Sequence, residues 1–399
     1  MPYKVMDPLW LLLLLPIAMV SGWVAARLDQ RSRLQHKRQS FPQAYIEGLN
    51  FLLNEQPDKA IEVFIKALEV DPETVETHLA IGNLFRRRGE IERATRIHQN
   101  LIARPHLEKL QRYQALFELA QDYHKAGLLD RAENLFLEVV DAPLHGEAAL
   151  NNLVDIYQQE KDWNKAIQTC KKLGRLTGDR TDYVIAQYYC EQADQAEAEQ
   201  DYELAENLAH RALSVDKTCV RATMLLGKAA LRSNDHLEAI KIWRKVESQD
   251  PHLLGEVVSL IAASFTAVGD ESGLQMFLQS ALNRHSDMTL MLALGEVIER
   301  KEGNKAAQQF VLDWLRSHPS AAGLERLIEL RLAETGAHGQ RDLEILKGII
   351  SGLIEQHVGY ACSRCGFRAK SLHWQCPSCR RWATIKPFSA NTEGQYAER

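Results

Sequence analysis

Aromatic side chains make up only 7% of this 399-residue sequence, and proline occupies just 12 positions. Alanine, leucine, glutamate and glutamine abound instead, which is the composition of a helical protein. Neither sign of charge dominates, with 48 Lys and Arg against 53 Asp and Glu. A general nucleic-acid binder needs a basic excess to neutralise phosphates, so that class is excluded. Signatures of catalysis are missing as well. The sequence holds no phosphate-binding loop, no nucleophile elbow and no catalytic metal motif, and it reads as a protein that is not an enzyme.

Charge is also absent from one long run. Pro8 to Ala26, "PLWLLLLLPIAMVSGWVAA", is 19 residues without an ionisable side chain. As a helix it spans roughly 28 Å, close to the hydrocarbon thickness of a bilayer. Trp10 and Trp23 stand near its ends, where the interface favours amphipathic rings, and a membrane helix tolerates the kink at Pro16. Arg27, Arg31, Arg33, Lys37 and Arg38 follow against the single acid Asp29. The positive-inside rule therefore predicts a single-pass anchor over 8–26, with the N-terminus outside and a basic linker at 27–40 opening the cytoplasmic portion. A cleaved signal peptide would carry its positive charge before the apolar run and small residues after it; here the charge follows and Trp23 interrupts.

Beyond the linker the chain repeats itself. Gly48, Phe51, Ala60, Phe64, Ala67 and Pro72 match the tetratricopeptide spacing, and Gly82, Phe85 and Ala94 recur 34 residues later. Ala120, Tyr123, Ala132 and Phe136 hold the same slots, as do Val154, Tyr157, Ala166 and Cys170. Register is lost around Gly174 to Asp182. It returns with Ala193, Ala196, Ala205 and Ala209, and then with Gly227, Ala230, Ala239 and Trp243. Weaker units follow around Ala262 and Gly295. The spacing predicts an all-α solenoid of about eight units over 41–320, with a further helix pair over 321–357. Small residues at the eighth and twentieth positions let the paired helices cross closely, and large ones at the eleventh and twenty-fourth fill the space beside them. Each hairpin is too thin to bury its own apolar face, so the units must stack.

By resemblance to tetratricopeptide proteins, first-helix positions two, five, nine and twelve face a concave groove. Asn83, Arg86, Asn151 and Asp155 fall there and are candidates for holding a partner peptide. Cys170, Cys190 and Cys219 have no CxxC spacing and read as small buried apolar residues. His98, His106 and His124 form no metal motif and read as structural or exposed.

The remaining four cysteines are two pairs ten residues apart, Cys362-x-x-Cys365 and Cys376-x-x-Cys379. Each pair can wrap a turn around one metal, and together they supply four thiolates in a tetrahedron. Gly366 fits the first turn's need for positive φ, and Pro377 stiffens the second. A disulfide reading conflicts with a reducing cytoplasm, and a thioredoxin-type motif would have a single CxxC. The layout resembles rubredoxin-like and zinc-ribbon knuckles over 358–388. It suits one zinc ion or a single iron; zinc is favoured because a module this small needs a structural metal and no second redox centre accompanies it. Trp374 and Trp382 are among more aromatic residues than the module can hide, so part of this surface is expected to dock on the last helix pairs or on a partner. The tail at 389–399 reads as solvated.

An N-terminal membrane run, then "GLNFLLNEQPDKAIEVF" and "LAIGNLFRRRGEIERATRIHQNL", then "YACSRCGFRAKSLHWQCPSCRRWATIKP" is a specific combination. It resembles the lipopolysaccharide assembly protein B family of Gram-negative bacteria along essentially the whole chain. The resemblance implies a non-enzymatic inner-membrane adaptor with its bulk in the cytoplasm. Its implied partners are a membrane-anchored AAA+ metalloprotease and the lipid A pathway deacetylase whose degradation it promotes, together with other lipopolysaccharide assembly membrane proteins. The family's metal ligands carry over to Cys362, Cys365, Cys376 and Cys379. A passive scaffold for lipopolysaccharide enzymes and a rubredoxin-type electron carrier are the competing readings.

Overall fold

The computed structural model describes residues 43–54, 56, 59–64, 75–105, 107–333, 337–356 and 359–387. The expected anchor at 8–26, the linker at 27–40 and the tail at 389–399 lie outside these residues. Among the described residues no helix is long and apolar enough to cross a membrane. The chain divides into two compact units, one ending at Ile156 and one beginning at Tyr157.

The first unit holds α1 (Gln43–Leu53), α2 (Val75–Arg87), α3 (Ile91–Ile102), α4 (Lys109–Lys125), α5 (Leu129–Val139) and the first part of α6 (Gly146–Glu160); residues 59–64 are helical too. The second unit continues with α7 (Trp163–Thr177), α8 (Asp182–Ala198), α9 (Tyr202–Val215), α10 (Val220–Arg232), α11 (His236–Trp243) and the short α12 (Val246–Gln249). A 3-10 turn (Pro251–Leu253) leads into α13 (Gly255–Val268), α14 (Glu271–Arg284), α15 (Met288–Glu302) and α16 (Asn304–Ser317). Helices α17 (Ala321–Leu332) and α18 (Ala337–Gln356) form a last pair. Within each unit these are stacked helix pairs of the tetratricopeptide kind.

The repeat slots are packing slots. A Cβ built on Gly82 would stand 2.3 Å from His98 Nε2, and one on Gly227 would stand 2.0 Å from Trp243 Nε1. In both repeats the eighth residue lies beneath the twenty-fourth, and His98 and Trp243 are completely buried there. Gly295 is different, since its Cβ would meet Val311 at an ordinary 3.7 Å. Gly227→Ala is therefore expected to cost about 1–3 kcal/mol through overpacking. Gly295→Ala should instead gain up to about 1 kcal/mol from helix propensity. Denaturant midpoints of the two variants check the contrast, and equal shifts would contradict it.

Four of the turns inside pairs follow one recipe. Lys161, Gln200, Asn234 and Gly269 adopt positive φ, and each is followed by an aspartate. Asp162, Asp201, Asp235 and Asp270 each accept a hydrogen bond from the third backbone N–H of the next helix, at 2.8–3.1 Å. Such a cap contributes about 1 kcal/mol, comparable to the cost of left-handed backbone at a non-glycine residue. The break in register lies between α7 and α8. There Gly178 closes α7 with φ +77, donating its N–H to Gly174 O.

In the first unit, His98 belongs to a buried ionic cluster. Its Nδ1 lies 2.6 Å from Asp122 Oδ2, and the other oxygen of Asp122 accepts from Arg86 at 2.8 Å. Arg86 also binds Glu118 and donates to Asn83 Oδ1 at 2.7 Å. Removing one partner from a buried pair leaves an uncompensated charge, so this cluster fixes how α2, α3 and α4 pack.

Candidate metal centre and its seat

Three short strands follow α18. Strand β1 (Tyr360–Cys362) pairs antiparallel with β2 (Arg368–Ala369) on one side and with β3 (Ile385–Pro387) on the other. Two loops leave this sheet, and each makes the same turn. Cys362 N–H donates to Phe367 O and Gly366 N–H to Cys362 O; shifted by fourteen residues, Cys376 N–H donates to Arg381 O and Arg380 N–H to Cys376 O. Positive φ falls at the matching positions, +74° at Gly366 and +55° at Arg380. The second loop thus adopts with an arginine the conformation that the first adopts with glycine.

These loops bring the four sulfur atoms of Cys362, Cys365, Cys376 and Cys379 within 4.8 Å of one another. Cys362 Sγ is 3.8 Å from Cys379 Sγ, and Cys365 Sγ is 3.6 Å from Cys376 Sγ. A tetrahedron with metal–sulfur bonds near 2.3 Å has edges of about 3.8 Å, so the spacing fits a four-thiolate metal site. The electrostatics agree. Burial pushes the Cys362 thiol up, but the Thr384 hydroxyl and the backbone N–H groups of Cys365 and Arg364 outweigh it and hold this thiol at about 6. Burial drives Cys376 to about 12 and raises Cys379. Four thiolates at this distance repel one another, and a bound cation lets all four ionise together. With four protein ligands the site is closed and has no open position for a reacting water.

The module's own core is little more than Cys362, Cys376 and Ile385, with Tyr360, Phe367 and Leu372 against them. Trp382, Trp374 and Tyr360 face the helices of the second unit. Trp382 is buried edge-on against Trp163 and Tyr188, with centroids 6.4 and 5.8 Å away. Gln158 Oε1 accepts from Trp382 Nε1 at 2.9 Å and from Gln375 Nε2 at 3.0 Å. Trp374 lies under the Arg221 guanidinium, 5.8 Å from ring centroid to Cζ. Arg221 is itself nearly buried and held by Glu191 and Asp194. Tyr360 donates to Glu256 Oε1 at 2.7 Å, and burial together with that carboxylate raises its phenol well above the usual range. Lys386 pairs with Asp250.

These contacts lie on α6 to α13 rather than on the last helix pairs. Counted by repeat position, Gln158 is the twelfth residue of its unit, and Arg221 and Glu256 are the second of theirs. These are groove-facing positions, so the module sits in the second unit's groove. Sequence reasoning named Trp374 and Trp382 but missed their seat; applying the position rule to every repeat would have raised Gln158, Arg221 and Glu256.

The four groove candidates are all in the first unit. Asn83 and Arg86 belong to the cluster with Glu118 and Asp122. Asn151 is exposed, and Asp155 Oδ2 is 3.9 Å from His124 Nε2. The two pairs lie on α2 and on the part of α6 that belongs to the first unit. Cys190 and Cys219 are buried with their sulfurs 3.8 Å apart, and Cys170 is buried beside Tyr188.

Comparisons with known proteins agree with this anatomy. The pattern for the rubredoxin metal binding domain matches residues 360–387. Tetratricopeptide repeat patterns match 47–105, 149–182 and 190–252. The chain is 36% identical over 380 residues to a protein of Escherichia coli strain K12 named lipopolysaccharide assembly protein B, covering 95% of this chain and 97% of that one. A protein of the same name from Haemophilus influenzae is 36% identical over 390 residues, covering 95% and 98%.

Proposed function

The chain belongs to the lipopolysaccharide assembly protein B family, and from that membership we propose that it is a non-catalytic adaptor at a bacterial inner membrane. It promotes degradation of the deacetylase that commits precursors to lipid A, by a membrane-anchored AAA+ metalloprotease. The uncharged run at 8–26 is its anchor, and the rest of the chain is cytoplasmic. Confinement to the protease's own membrane surface raises the effective concentration of whatever the adaptor holds. One structural zinc ion folds the C-terminal module.

The observation that carries this reading is how the groove is used. In the second unit, groove positions at Gln158, Arg221 and Glu256 are covered by the chain's own module. In the first unit the equivalent positions Leu49, Glu76, Leu79, Asn83 and Gln114 line an open cleft of about 250 Å³. Its mixture of leucine, amide and carboxylate suits an extended peptide, with pockets for side chains and hydrogen bonds for the main chain.

Depleting the chain from cells is expected to lengthen the deacetylase half-life several-fold. A returned Leu49→Arg or Asn151→Arg chain should accumulate normally yet fail to shorten that half-life. An unchanged half-life on depletion would contradict the adaptor role. Full rescue by both variants would contradict the groove assignment.

A further inference from the structure

We propose that Cys190 and Cys219 are a modification site, a buried dithiol that peroxide converts to a disulfide. Cys190 lies on α8 and Cys219 stands immediately before α10, so the pair joins two adjacent repeats of the second unit. Their sulfurs are 3.8 Å apart, and at this distance nothing stands between them. A disulfide bond is about 2.0 Å long, which leaves about 1.8 Å to close. The fully buried side chains packed with the pair are alanines, Ala186, Ala212 and Ala222.

The surroundings differ from those of an inert core cysteine. Hydrogen bonding from the Cys190 thiol lowers the Cys219 thiol. The Ala222 N–H and the Arg221 guanidinium add to this against burial and Asp216, and Cys219 is held below the usual thiol range. Cys190 is the proton-bearing member, held well above that range by its bond to Cys219 and by burial. A thiolate beside a protonated thiol is the arrangement of an attacking and a resolving cysteine. Cys170 is the counter-example in the same unit. It is as buried as Cys219 but lies beside the Tyr188 hydroxyl instead of a second thiol, and burial drives it to about 11. Two polar atoms near the pair are also open. Gln187 Nε2 donates to Cys219 Sγ at 3.6 Å, while Gln187 Oε1 and Arg221 Nε are buried without a partner among the described residues. One acceptor and one donor are what a sulfenic acid hydroxyl would use.

The chemistry needs only peroxide as oxidant. The Cys219 thiolate attacks one peroxide oxygen, the O–O bond breaks and, with a proton, one water leaves, giving a sulfenic acid at Cys219. The Cys190 sulfur then attacks the Cys219 sulfur. Its proton leaves with the hydroxyl as a second water, and the S–S bond forms. Peroxide is reduced and two thiols are oxidised. In a reducing compartment thiol exchange returns both thiols, so the link is a transient signal rather than a staple. Its place gives it an effect. Glu191 follows Cys190, Arg221 lies two residues after Cys219, and this ion pair carries Trp374 of the module. Drawing α8 and α10 together there disturbs the seat.

The full, metal-loaded chain in detergent, treated with submillimolar hydrogen peroxide and then alkylated, tests this by unreduced peptide mapping. The expected product joins the tryptic peptides 181–211 and 218–221 at two hydrogens below their summed mass, with Cys170 alkylated as before. In Cys190→Ala the sulfenic acid has no thiol to meet, and a dione probe should label Cys219. Deuterium exchange over 371–375 should rise on oxidation of the parent chain and not of Cys190→Ala, which controls for attack on the metal-binding thiolates. Thiols at 190 and 219 alkylated as fully as before treatment, Cys170 oxidised to the same extent, or an equal rise in exchange in both chains would each overturn the proposal.

Discussion

Chains in which Cys362 and Cys365 are both replaced by serine are expected to bind no metal, against about one ion for the parent, and to lose the folded module over 359–387. Half the tetrahedron is gone, and serine is a poor ligand for a soft four-thiolate site. The effect should be large because the module has almost nothing else to hold it. Its internal core is a few side chains around Cys362, Cys376 and Ile385. For such small sites metal binding free energy is folding free energy, on the order of 10 kcal/mol. Elemental analysis should find zinc in a colourless parent protein. Limited proteolysis should cut the double variant after Gln356 and leave the helical repeats intact. A red parent protein with one iron would favour the electron-carrier reading, and a protease-resistant variant tail would show that the module folds without metal. In cells, the same variant should fail to shorten the deacetylase half-life.

Trp382→Ala should have the second-largest effect, and of a different kind. Trp382 is buried against Trp163 and Tyr188 and lies outside the group of side chains around the sulfurs. Truncating a buried tryptophan typically costs about 3–5 kcal/mol. Spent on docking, that weakens the seat by roughly two to three and a half decades. It also takes one of the two donors from Gln158 Oε1. Metal content should remain near one per chain, because all four thiolates are untouched. The two variants thus separate folding of the module from its docking.

Much of this architecture is legible in the sequence because each recurring spacing is also a local contact. Gly82 with His98 and Gly227 with Trp243 are sixteen residues apart, and the helix hairpin brings them together directly. The cysteine pairs are legible for the same reason, since each CxxC closes within one turn. Some turns were hidden by residue type. Lys161, Gln200, Asn234 and Arg380 hold left-handed backbone that glycine would have announced. The seat of the module was not legible in periodicity. Gln158 and Trp382 are 224 positions apart, and no spacing rule links them. Nor does a groove-facing position reveal its neighbours: Arg86 is tied to Asp122, 36 residues on, by a contact between adjacent repeats.

The four-cysteine module occupies the groove of the second unit through Trp382, Gln375, Trp374 and Tyr360. Hydrogen–deuterium exchange on the intact, metal-loaded chain, compared with Trp382→Ala, tests it most directly. Faster exchange is expected around 157–163, 185–191 and 250–258 in the variant, with both cysteine turns still protected. Identical protection of those helix segments in the two chains would contradict it.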